Sequence, residues 1–142
     1  MKTIKNLDTG IAGNVTTSII VGAEEFRTFL YGQLVLTTDG TVANRRVIFS
    51  LTDDSDNVIL DSHAGAVVTA SQSDMHHEFM QGIFRETSFV GSAIQMPIPI
   101  DTIIPTGYKI KLSVENGVAG DSYDYALLSK TTDIAPSSMI VA

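Results

Sequence analysis

Apolar residues recur at every second position over much of the chain, and no stretch shows the spacing of an amphipathic helix. The clearest case is Gly107 to Val114. There Tyr108, Ile110, Leu112 and Val114 share one parity, and Lys109, Lys111 and Ser113 the other. Successive strand residues point to opposite faces, so this pattern predicts a strand with one face in a core and one in water. Arg45 to Thr52 repeats it with Val47, Phe49 and Leu51. Phe26 to Thr38 reads as a long strand with apolar residues of both parities: Leu30, Leu34 and Leu36 on one face, Phe29, Tyr31 and Val35 on the other. A strand covered on both faces belongs inside a sandwich or at a subunit contact. Shorter runs are Thr17 to Val21, Val58 to Leu60, Gly65 to Gln72 and His76 to Met80, and Ser122 to Lys130 is the last full strand. Ala93 to Ile100 alternates Ile94, Met96, Ile98 and Ile100 with Pro97 and Pro99. Proline lacks an N–H donor, so this strand is expected at a sheet edge or a bulge.

Asp39-Gly40 is a strong signal for a two-residue hairpin turn, which needs positive φ at both central positions. Closed tightly, it would pair Thr38 with Thr41, Leu36 with Ala43 and Leu30 with Phe49, and set Arg45 opposite Leu34. Asp53 to Asn57 is a polar turn. Gln81 to Gly91, with room for one helical turn, and Asp101 to Thr106 are longer than hairpin loops and suggest crossings between sheets. About eight strands spaced by turn signals predict an all-β chain: one β-sandwich domain, a jelly roll, over residues 17–130. Residues 1–16, punctuated by Asp8, Gly10, Gly13 and Asn14, read as an N-terminal arm. Residues 131–142 read as a C-terminal tail with an apolar end, Met139, Ile140 and Val141.

Composition changes the picture in one respect. Of 142 residues, 44% are apolar and only 18% charged, below the roughly 25% of an average soluble domain. Such a surface suits a protein packed against neighbours. The net charge is −7, from nine basic and sixteen acidic residues. Nucleic-acid binding runs on Lys and Arg neutralising phosphates, so no nucleic-acid partner is expected. The acidity is uneven. No Lys or Arg falls between Arg46 and Arg85, whereas Asp53, Asp54, Asp56, Asp61, Asp74 and Glu78 do. That region serves solubility or docks on a basic partner. The absence of Cys excludes disulfides and thiolate chemistry. Met1 to Gly13 lacks the apolar core of a signal peptide. No apolar run nears the roughly 20 residues of a membrane helix, so no membrane partner is expected.

Several clusters invite chemistry. His76 and Glu78 share a strand face beside His77, but zinc takes three or four ligands, and the other histidine is the distant His63. Asp53-Asp54-Ser55-Asp56-Asn57 resembles a calcium loop. Counted from Asp54, however, Ile59 and Gly65 stand where an EF-hand needs Gly and a bidentate Glu. A turn whose Asp and Asn side chains bond local backbone is the simpler reading. Asp61, Ser62 and His63 hold the residue types of a hydrolase triad, but strand neighbours point apart, and no Gly-x-Ser-x-Gly elbow exists. Tyr123 and Tyr125 share a face that fits a glycan platform or a packed core. No catalytic residue, metal or cofactor is expected, and no enzyme activity.

Two stretches carry a resemblance. One is Thr37-Thr38-Asp39-Gly40-Thr41-Val42-Ala43-Asn44-Arg45-Arg46-Val47 with the turn that follows at 52–58. The other is Pro97-Ile98-Pro99-Ile100, Ile104-Pro105-Thr106-Gly107-Tyr108-Lys109-Ile110, Asn116-Gly117-Val118-Ala119-Gly120-Asp121 and Tyr123. Covering roughly half the chain, they resemble small jelly-roll virion proteins of tailed bacteriophages, the head decoration or cement proteins. Asp56 stands where that pattern favours Gly in the hairpin turn, and Tyr123 where Trp is frequent. The resemblance implies a non-enzymatic protein on the capsid surface, made in the host cytoplasm, that binds and stabilises the assembled head. Its implied partners are the major capsid protein and further copies of itself, closed as a trimer. The contact candidates are Phe29, Tyr31, Val35, Asn44, Arg45, Arg46, Met139, Ile140 and Val141. Asn44 to Arg46 would either bridge to acidic groups on a neighbour or cap a strand end internally. The alternative is a glycan- or receptor-binding sandwich of a phage fibre, recognising through Asn116–Asp121 and Asp53–Asn57.

Overall fold

The computed structural model describes residues 2–23, 25–98 and 103–132. Every regular element among them is a strand: β1 (Lys2–Ala12), β2 (Thr17–Ile20), β3 (Phe26–Thr37), β4 (Arg46–Thr52), β5 (Val58–His63), β6 (Met75–Gln81), β7 (Ala93–Ile98), β8 (Ile103–Ile104), β9 (Lys109–Glu115) and β10 (Ser122–Thr132). They form two sheets. The larger has the order β1-β10-β3-β6-β7, with the short β8 also paired to β3, and the smaller has the order β2-β9-β4-β5. Eight of these strands in two four-stranded rows, β1-β10-β3-β6 over β2-β9-β4-β5, are a jelly roll. β7 and β8 are additions within the connection from β6 to β9.

The inward positions of both sheets make one core. From the small sheet come Val47, Phe49, Leu51, Ile110, Leu112 and Val114, and from the large one Phe29, Leu34, Leu36, Phe79, Met96, Tyr123 and Leu127. Phe49 sits at its centre, 5.2 Å from Phe29 and 5.1 Å from Phe79 by ring centroids. Tilted rings at these separations add to the burial of area. Gly32 is required where β10 crowds β3. A Cβ there would come within 2.6 Å of the Ala126 carbonyl oxygen and 2.7 Å of the Leu127 side chain.

β9 follows the alternation of its sequence, and β7 lies at the edge of the large sheet as Pro97 requires. β7 runs parallel to β6, whereas the other strand pairs are antiparallel. Three expectations fail. Residues 2–12 are not an arm but β1, paired with β10 from Lys2↔Thr131 to Ala12↔Ser122 around a bulge at Thr9-Gly10, where Gly10 has φ 66°. Asp39-Gly40 closes no hairpin, because β3 and β4 belong to different sheets and residues 38–45 cross between them. Leu30 therefore does not pair with Phe49, nor Leu34 with Arg45. Gly65 to Gln72 is a loop touching the sheet through one bridge, Arg45↔Val68. The tail, except for its first two residues Thr131 and Thr132 at the end of β10, lies outside the described residues, with Met139, Ile140 and Val141.

Candidate functional site

Arg45 is the largest fully buried side chain, with 0% exposure. Its Nε donates to Asp121 Oδ2 at 2.9 Å and one terminal nitrogen to Asp121 Oδ1 at 3.0 Å, a bidentate pair. The same nitrogen reaches Asp39 Oδ1 at 3.1 Å, and the other donates to the Ala43 carbonyl at 2.9 Å. Asp121 also accepts from the backbone N–H groups of Asp39 at 2.9 Å and Val118 at 3.0 Å, while its carbonyl takes the N–H of Gly13. Burial pushes the Asp121 carboxyl up in pKa. The hydrogen bonds from Arg45, Val118 and Asp39 outweigh that and leave it below its ordinary value. The loops after β1, β3 and β9 are thus stitched at one end of the sandwich. The two stretches that carry the family resemblance meet here, Arg45 from one and Asp121 from the other.

Arg45 therefore leaves the set of contact residues, since its whole guanidinium is used inside the chain. Asn44 is exposed and its carbonyl accepts from Asn116 Nδ2 at 3.1 Å. Arg46 is half-buried and donates to the Ala64 carbonyl. Phe29 leaves the set too, at 4% exposure in the core. The register explains why. β10 pairs Leu128 with Tyr31 and Ser129 with Phe29, so Leu30 is an extra, bulged residue. It reverses the parity of β3, and Phe29 points inward while Tyr31 and Val35 point outward.

Tyr31 and Val35 lie on the outer face of the large sheet. Cross-strand pairing aligns Lys5, Leu128, Tyr31, Met80 and Pro97 in one row and Leu7, Ala126, Gln33, Glu78 and Gln95 in the next. A shallow groove of about 560 Å³ runs over this face, lined outwardly by Leu7, Tyr31, Met80, Ala126 and Leu128, with Lys5 on one flank and Glu78 on the other. Leu7 is 59% exposed and Tyr31 57%.

The outer face of the small sheet is different. Ser18, Lys111, Ser50 and Asp61 make one row across its four strands. Asp61 accepts from Ser50 Oγ at 2.6 Å. Lys109 and Lys111 both reach Asp56, at 2.7 and 2.8 Å, and these two hydrogen bonds hold the Asp56 carboxyl down to about 2. Asp56 has φ 64°, the left-handed conformation for which glycine is the default. Here the aspartate takes the glycine's place and gains two lysines.

The remaining candidates separate. Asp53 Oδ1 accepts from the N–H groups of Ser55 and Asn57, both at 2.9 Å, as a local turn does. Ser62 faces the core and donates to the Pro97 carbonyl at 2.8 Å, while Asp61 and His63 face away from it, so the three do not converge. His77 is buried with Nδ1 3.0 Å from the Met75 carbonyl and its ring edge-on to Phe89, whereas His76 and Glu78 point outward. Burial lowers the His77 pKa to about 4. Tyr123 is buried, bonding through its hydroxyl with Thr17 at 2.7 Å and the Val15 carbonyl at 2.8 Å, so no Tyr123–Tyr125 platform faces solvent.

Fold and site together define a jelly-roll sandwich with an apolar-lined groove on the outer face of its large sheet. No family model and no curated protein matches the chain. Among solved structures it is similar to a chain of infectious bursal disease virus, Gx strain, at 15% identity and TM-score 0.41, covering 96% of this chain and 34% of that one. It is also similar to the VP2 subviral particle of infectious bursal disease virus, at 16% identity and TM-score 0.38, covering 96% and 34%. This chain spans about a third of the length of each. The jelly-roll assignment rests on the strand order described above.

Proposed function

We propose that this chain is a non-enzymatic structural protein of a virion, a decoration or cement module that sits on the assembled head and stabilises it. The observation that carries this reading is the outer face of the large sheet. A sandwich whose polar groups are largely satisfied from within leaves one apolar strip open, and such a strip marks contact with another protein. The resemblance of the Thr37–Val47 and Asn116–Asp121 stretches to phage head proteins supports it. Tyr31 and Val35, with Leu7 and Leu128 beside them, are the contact residues, and the partners are the major capsid protein and further copies of this chain. Cement proteins add interface area at junctions between shell subunits and need no chemistry. The test compares particles with and without the protein under heat and osmotic shock. Particles lacking it should lose infectivity sooner, and adding purified protein should restore them. Equal survival, with the protein absent from purified heads, would overturn the reading.

A further inference from the structure

We propose that the outer face of the large sheet binds a second copy of this chain about a two-fold axis, with Lys5 of each copy meeting Glu78 of the other. Such a dimer lies beyond the virion reading and is a property of the free protein.

Two copies of a chain with net charge −7 repel one another unless they meet where the local charge cancels. The groove on this face carries one cation, Lys5, and one anion, Glu78, and its other lining residues are uncharged. The two sit on opposite flanks. Lys5 belongs to β1 and Glu78 to β6, with β10 and β3 between them. Strands lie about 4.8 Å apart, which puts roughly 14 Å of sheet between the two charges. Among the described residues neither forms an ion pair within its own chain.

An isologous contact uses the same patch on both subunits, so each residue pair occurs twice. With the two-fold axis lying between the faces and bisecting the line from Lys5 to Glu78, each lysine lies over the partner's glutamate. The apolar residues between them, Leu128, Tyr31 and Ala126, are then covered from both sides. The small sheet lacks this arrangement. Its Lys109 and Lys111 are already engaged by Asp56, so neither is left to meet a partner's carboxylate. The assembly predicted is a dimer in place of the trimer expected from the sequence.

The test is sedimentation equilibrium of the full chain at low salt over a range of micromolar concentrations, with circular dichroism as the check on folding. The wild type should weigh as a dimer. Lys5→Glu and Glu78→Lys each turn two attractive pairs into two repulsive ones, and each should weaken the dimer about tenfold. The double variant Lys5→Glu/Glu78→Lys should recover the wild-type constant. A monomer at every concentration, a trimer, or a dimer indifferent to the single charge reversals would overturn the proposal. The particle experiment above reads the virion role separately, so either can fail alone.

Discussion

Arg45 and Tyr31 both look like contact residues in the sequence, and they end at opposite extremes. Arg45 lies at 0% exposure in a knot of loops where each of its charged hydrogen bonds ends on a group of the same chain. Tyr31 stands 57% exposed in the middle of an apolar strip with no covering element among the described residues. A polar residue flanked by turn signals is easily satisfied by its own loops. An aromatic on the outer face of a central strand has neighbours only to its sides. Substitutions at the two places should therefore move different observables.

The largest effect is expected from Arg45→Met. Removing one partner of a buried pair leaves the Asp121 carboxylate uncompensated, which costs about 3–5 kcal/mol. Urea unfolding should show that loss, and a change below about 1 kcal/mol would mean that the loop end is not held by this pair. The second effect sharpens the contrast within β6, where His77 points inward and its neighbours outward. Its folded pKa, about 4, lies below the ordinary 6.5. Between those values the unfolded chain holds more protons, so stability is full above pH 6.5 and falls as the pH drops toward 4. The limiting loss is about 3 kcal/mol. Denaturation midpoints across that range should show the slope in the wild type and a shallower one in His77→Leu. Equal slopes would assign the acid sensitivity elsewhere. The smallest effect on stability belongs to Tyr31→Ser, within about 0.5 kcal/mol as for exposed sites generally. That variant should nevertheless lose self-association by sedimentation, and a stability loss as large as that of Arg45→Met would erase the distinction between the two regions.

Much of the fold was legible. β9 reads directly from Tyr108 to Val114 because it is paired on both sides and buried on one face, the case in which alternation is clean. Pro97 marks an edge because its missing donor permits little else. What failed depended on distant pairing. Asp39-Gly40 is a local hairpin signal, but β3 and β4 find partners in different sheets. β1 has a neighbour on one side only and one face in water, so Lys5, Asn6 and Asp8 interrupt its pattern and it looks like an arm. The bulge at Leu30 is set by β10, nearly a hundred residues away, and it alone decides whether Phe29 or Tyr31 faces out. The apolar strip is likewise invisible in sequence, because it joins Leu7 of β1, Ala126 and Leu128 of β10, Tyr31 of β3 and Met80 of β6, which only the register brings together.

The pairing of β1 with β10 also fixes an order of events. β1 has one neighbour in its sheet, and that neighbour is made last among the ten strands of the described residues. At about 5–20 residues per second, the first strand waits on the order of ten seconds before its partner emerges. Closure then inserts β10 between β1 and β3, satisfying two ladders at once. Folds dominated by such distant pairings mature slowly, in milliseconds to seconds. Until that insertion β1 has an unpaired backbone on both sides, and its two lysines and the kink at Gly10 are the features that discourage a stray strand from taking β10's place.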